Sequence, residues 1–177
     1  VHLSIAGAEN YGNYIIFHFL LIISSVLNLG IGKSIAVSIN NYPKKNREIG
    51  YQGIKYTIII IFIIIASLII LSNLEQLIFI LKLIDSSLTF YLFFGVVLSI
   101  LYSSLEGIFQ GNRMFKFLSF FNFVFFSLSL SLPSLILLYN VELSLEELII
   151  FSLIIKFLTI TLMILYILKK NLILRSK

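Results

Sequence analysis

Long apolar runs separated by short polar gaps divide the chain, and about five of those runs reach membrane-spanning length. The first, 14–36, is broken chiefly by His18, Asn28 and Lys33, and at about 1.5 Å per residue it exceeds the roughly 30 Å hydrocarbon layer of a bilayer. The second, 56–74, is almost an unbroken isoleucine series. β-Branched residues favour strands, but a run of this length without alternation cannot be an amphipathic strand, and helix is predicted on length. Three further spans are predicted at 88–108, 117–139 and 148–168. The stretch 77–84, flanked by Glu75, Lys82 and Asp85, is too short to cross and reads as a helix extension or an interfacial turn. Pro133 lies inside the fourth span and predicts a kink, with neighbouring groups taking up the carbonyl it frees. The expected fold class is therefore all-α, a polytopic transmembrane helix bundle occupying 1–177.

Composition agrees. Hydrophobic residues make up 59% and charged residues 12%, with a mean hydropathy of +1.07, whereas soluble domains carry about a quarter charged residues. A net charge of +5 does not indicate nucleic acid, because the cations flank apolar runs and are not gathered on one solvated face. The absence of cysteine removes disulfides, iron–sulfur clusters and thiolate metal sites.

Charge placement predicts orientation. Lys44, Lys45, Arg47 and Lys55 occupy the gap between the first two spans, Arg113 and Lys116 the gap between the third and fourth, and Lys169, Lys170, Arg175 and Lys177 the tail. The alternate gaps hold Lys82 as their one cation, against Glu9, Glu75, Asp85, Glu142, Glu146 and Glu147. The positive-inside rule puts the basic gaps and the C-terminus in the cytoplasm, in a multi-pass protein of the cell membrane. Five spans leave the N-terminus outside. The chain also starts at Val1 without a Met or a basic leader, so a preceding span is expected to be missing, and the natural unit would have six helices.

Ionisable groups within a bilayer cost roughly 2.5–3.5 kcal/mol each, so those present are candidates for function. Lys156 ranks first. It lies nine residues past Glu147, about 13 Å deep by helical rise, on a stripe formed by Ser152, Lys156, Thr159 and Met163. A structural lysine, bent toward water or paired with a carboxylate, is the plain reading; a cavity-lining cation that meets an anion is the functional one. Glu106 shares a face with Ser99, Ser103 and Gln110 near the cytoplasmic end, where it reads as a coupling group or a structural partner of Arg113 or Lys116. Lys33 reads as a snorkelling cation, Asn28 as an interhelical hydrogen-bond donor, His18 as an interfacial residue with proton relay as the lesser alternative. Gly30 and Gly32 predict close helix approach or local unwinding. No H-E-x-x-H, P-loop or G-x-S-x-G is present, so no enzyme, cofactor or metal site is expected.

Three local patterns carry a resemblance. Glu9-Asn10-Tyr11-Gly12-Asn13-Tyr14 resembles the Glu-x-Tyr-Gly-x-aromatic segment after the first helix of polysaccharide exporters of the multidrug/oligosaccharidyl-lipid/polysaccharide superfamily, the O-antigen flippase type. Leu27-Asn28-Leu29-Gly30-Ile31-Gly32 is similar to that family's Leu-Asp-x-Gly-x-Gly late in the second helix, with Asn28 where Asp is common. Residues 106–116, Glu-Gly-Ile-Phe-Gln-Gly-Asn-Arg-Met-Phe-Lys, resemble its Gly-x-x-Gln-Gly and basic hinge between helices four and five. The resemblance implies that the five spans are helices two to six, the N-terminal half of a two-bundle transporter whose C-terminal bundle is missing here. It further implies flipping of a polyprenyl-diphosphate-linked oligosaccharide, with Lys156, Lys33, Arg113 and Asn28 as substrate-binding candidates and the lipid bilayer as surroundings. An ion-coupled drug or small-molecule exporter on the same scaffold would instead need an intramembrane carboxylate, and Glu106 is the candidate. A non-transport membrane subunit or a lipid-modifying membrane enzyme would tolerate apolar replacement of Lys156 or place its acidic or histidine cluster in sequence not present.

Overall fold

The computed structural model describes residues 14–19, 21, 30–72, 86–138 and 144–172, and among these there are only helices and their connecting turns. A helical segment at 14–19 comes first. It is followed by α1 (Ile31–Asn41), a 3-10 turn (Pro43–Lys45), α2 (Asn46–Ser72), α3 (Ser86–Gly111), α4 (Phe115–Asn122), a π-helical stretch (Phe123–Leu128), α5 (Ser129–Leu138) and α6 (Leu145–Lys169). Four helical stretches among the described residues are long and apolar enough to cross a membrane: Pro43–Ala66, Phe90–Gly111, Phe115–Pro133 and Leu145–Lys169.

The first predicted span, 14–36, differs from the prediction. Gly30 sits in the left-handed region at φ 70° and starts α1, which then runs to Asn41, five residues past the predicted end. An L side chain rarely adopts that backbone, which is why glycine stands at the break. Residues 22–29, with Asn28, and the stretch 77–84 lie outside the described residues. The polar gap 40–55 also shrinks: α2 begins at Asn46, so the turn is only Tyr42–Lys45, with Pro43 supplying its fixed φ. Glycines read as a polar hinge, Gly107 and Gly111, belong to α3, and the hinge is the short Asn112–Met114. There Arg113 takes a left-handed φ of 58° while Met114 N donates to Phe109 O at 2.9 Å, the hydrogen-bond pattern that closes a helix C-terminus.

α3 is the hub. It packs most extensively on α1 and also on α2, α4 and α6. The α1–α3 seam is built from small residues: a Cβ on Gly32 would lie 2.3 Å from Ser103 O, one on Gly107 would lie 2.2 Å from Gly32 O, and one on Gly111 would lie 2.7 Å from Ile39 Cβ. Ser103, Gly107 and Gly111 recur every four residues, so one face of α3 lets the backbones nearly touch. Large apolar side chains instead cover the outer faces, including Phe62 and Ile63 on α2, Phe120 on α4, and Phe157 and Leu165 on α6. A soluble monomer does not expose a belt of that extent; a lipid-facing bundle requires it.

The ends of the bundle are distinct. Asn46 Nδ2 donates to Asn112 Oδ1 at 3.0 Å, so the α1–α2 and α3–α4 turns lie side by side. Tyr166, near the end of α6, rests against Phe109 and Phe117, with ring centroids 5.7 and 4.7 Å away. The basic segments Lys44–Arg47, Arg113–Lys116 and Lys169–Lys170 therefore share one end. At the other end α6 starts with a capping box, in which Glu147 N donates to Ser144 Oγ at 3.3 Å and Ser144 N donates to Glu147 Oε2 at 2.8 Å.

The fourth span carries the irregularity that Pro133 predicts. Proline lacks the N–H that would bond Ser129 O. Tyr14 takes its place: its hydroxyl donates to Ser129 O at 3.1 Å, while Ser129 Oγ donates to Phe125 O at 2.5 Å within the π-helical stretch. Tyr14→Phe is expected to lower stability in detergent by about 1–2 kcal/mol, the cost of stranding a buried carbonyl. In a Pro133→Ala background, where an N–H is restored to that carbonyl, the same change should cost clearly less; thermal unfolding of the four variants measures the difference.

Candidate functional site

The stripe predicted on the last span faces inward. Ser152, Lys156, Thr159 and Met163 are all buried in the interior of the bundle on α6, Lys156 to 5% exposure. Their spacing of about one helical turn puts them on the single face that meets α3, α5 and the π-helical stretch. Thr159 Oγ1 satisfies itself by donating to Ile155 O at 2.7 Å. Ser152 Oγ lies 3.1 Å from His18 Nε2, so His18 is a buried neighbour of α6, wedged edge-on against Tyr14 and Phe17.

Lys156 neither bends toward water nor pairs with a carboxylate among the described residues. Its Nζ stands 5.5 Å above the centroid of the Phe125 ring. A desolvated cation on a ring face gains up to about 2 kcal/mol. Burial of a lysine at the centre of a membrane helix costs roughly 2.5–3.5 kcal/mol, so the contact offsets part of the penalty and not all of it. The site is a net liability for the fold.

Behind Phe125 the ring of Tyr102 stacks at 3.8 Å between centroids and 18° between planes. The Tyr102 hydroxyl donates to Asn122 Oδ1, and the Asn122 side chain also bonds Glu106. Gln110 Nε2 donates to Glu106 Oε1 at 3.0 Å, which satisfies the half-buried carboxylate without a cation. A polar line thus runs through the bundle from His18 and Ser152 to Lys156, across the Phe125–Tyr102 pair, to Asn122, Glu106 and Gln110. Among the described residues, Lys156 and Glu106 are the cation and the acidic group along this line.

The other predicted residues sit elsewhere. Lys33 is exposed on the first turn of α1, and Arg113 is exposed in the α3–α4 turn, neither buried with Lys156. Asn28 lies outside the described residues. Sequence reading passed over Phe125, Tyr102 and Asn122. Among seventeen phenylalanines nothing singles out position 125. No group of three or more metal-ligating side chains occurs among the described residues. No protein-family model matches the chain, and no curated protein or solved structure matches it either.

Proposed function

We propose that the chain is the N-terminal bundle of a membrane exporter that flips a polyprenyl-diphosphate-linked oligosaccharide toward the outer leaflet for cell-surface polysaccharide synthesis. The observation that carries this reading is Lys156: a buried cation, midway along an apolar helix, with a ring face beside it and no carboxylate partner among the described residues. Such a group has positive charge to offer an anion, and a diphosphate is the anion that a lipid-linked sugar brings. The three sequence patterns add to it. Lys33 and Arg113, exposed toward the basic end, would gather the headgroup at the cytoplasmic mouth, and the hydroxyls of Ser152 and Thr159 would face sugar and phosphate oxygens once rearranged. Transport by alternating exposure of a midplane site suits a bundle paired with a second one. No bond of the cargo need be made or broken, so the role is not enzymatic. The basic turns would face the cytoplasm, with the C-terminus on the same side.

Glu106 favours a second reading, an ion-coupled exporter of drugs or small molecules, because it is a half-buried carboxylate bonded only to neutral amides. One experiment separates the two. In cells producing the full-length protein, Lys156→Ala is expected to abolish surface glycan while the protein still inserts at normal levels, and Glu106→Gln to retain most of it. Normal glycan with Lys156→Ala rejects the flippase reading. Loss with Glu106→Gln alone would transfer the role to the carboxylate, and tolerance of both would point to a non-transport subunit.

A further inference from the structure

We infer that Phe125 is the positioning residue of this site: its ring, clamped from behind by Tyr102, holds the Lys156 ammonium in the bundle interior as an uncompensated cation able to take an anionic group. The inference rests on the reading of Lys156 as the cargo's anion contact. A buried lysine ordinarily acquires a carboxylate, and a carboxylate would cancel its charge and leave nothing to offer a phosphate. A ring face acts differently. It stabilises the ammonium through the negative potential above its centre, yet carries no net charge, so an arriving anion meets the whole of the positive charge.

The local structure is arranged to aim that ring. Phe123 and Phe126 flank it at 58% and 52% exposure, facing outward, while Phe125 is 1% exposed. Phe125 continues the buried face of Leu118 and Phe121 at spacings of three and four residues, within the π-helical stretch that contains Phe123, Phe125 and Phe126. Its backbone is tied down in sequence, with Ser129 Oγ donating to Phe125 O and Tyr14 donating to Ser129 O. Tyr102 stacks on the far side of the ring and is itself fixed through its hydroxyl to Asn122. Glu106, the acidic group next along the polar line, is bonded to Gln110 and Asn122 and not to Lys156.

Ring electrostatics can be changed without changing shape. Phe125 is replaced in the full-length protein by mono-, di- and trifluorinated phenylalanine, which withdraw the negative potential of the face in steps at nearly constant volume. Thermal stability in detergent is expected to fall step by step, and the trend is expected to vanish in a Lys156→Met background. Glycan export should fall in the same order, with Phe125→Leu at or below the end of the series. A flat stability series overturns the ring–ammonium contact. A stability trend with unchanged export overturns the positioning role, leaving the contact purely structural. The Lys156→Ala export assay reports separately on the underlying flippase reading: if that variant exports normally while the stability trend persists, the contact stands and its role in cargo binding is rejected.

Discussion

Gly107→Ala is expected to cost at least about 3 kcal/mol of bundle stability, enough to deplete the folded form in a thermal or denaturant titration. The added methyl would stand 2.2 Å from the carbonyl oxygen of Gly32 and 2.8 Å from its Cα. Those are backbone atoms, and no side-chain rotation relieves the contact. The helices must separate, and separation also loosens Ser103 against Gly32 and Gly111 against Ile39 along the same seam. Overpacking against movable side chains costs about 1–3 kcal/mol, so an obstacle made of main chain belongs at or above the top of that range. Gly30→Ala provides the contrast. Nothing lies within 4 Å of the methyl it would add, and only the left-handed backbone at φ 70° opposes it. That change should cost about 1 kcal/mol. Equal losses from the two substitutions would show that the α1–α3 backbones are not in close contact.

Lys156→Met is expected to stabilise the bundle by about 0.5–1.5 kcal/mol while ending export. The arithmetic follows from the site. An ammonium at mid-helix costs roughly 2.5–3.5 kcal/mol and recovers about 2 kcal/mol from Phe125; methionine fills a similar volume and has no charge to desolvate. Replacing a buried charge by an apolar group of like size commonly raises stability. A gain in unfolding temperature together with loss of surface glycan would mark the lysine as retained for work at the expense of the fold. A loss of stability would mean that the ammonium has a stronger partner than the ring.

Much of the architecture could be read from the chain. The Ile-rich stretch of α2 and the apolar length of α6 leave no alternative to helices, and the basic gaps foretell that the α1–α2 turn, the α3–α4 turn and the end of α6 gather at one end, as the Asn46–Asn112 bond and the Tyr166 ring contacts place them. The stripe through Lys156 is likewise legible, because a period of 3.6 carries Ser152, Thr159 and Met163 to the same face. What escaped is what depends on pairing between distant segments. The break at Gly30 is visible only as a glycine among apolar neighbours, and Gly107 and Gly111 resemble a hinge until α1 is laid against them. The contact of His18 with Ser152 is likewise invisible, because depth counted along one helix says nothing of which helix packs over it. Phe125 is not singled out, because seventeen phenylalanines compete for notice and only the packing of α6 against it sets it apart.

That wide stretch has one more consequence. Each residue advances an α-helix by about 100°, so losing one residue between Phe123 and Leu128 would rotate everything downstream by about that angle relative to α4. Ser129 would leave Tyr14, Pro133 would meet a different neighbour, and the exposed Leu130 and Leu135 would swing off the outer face. This helix should therefore accept many exchanges among oily side chains yet refuse any change in length, the reverse of what connecting loops allow.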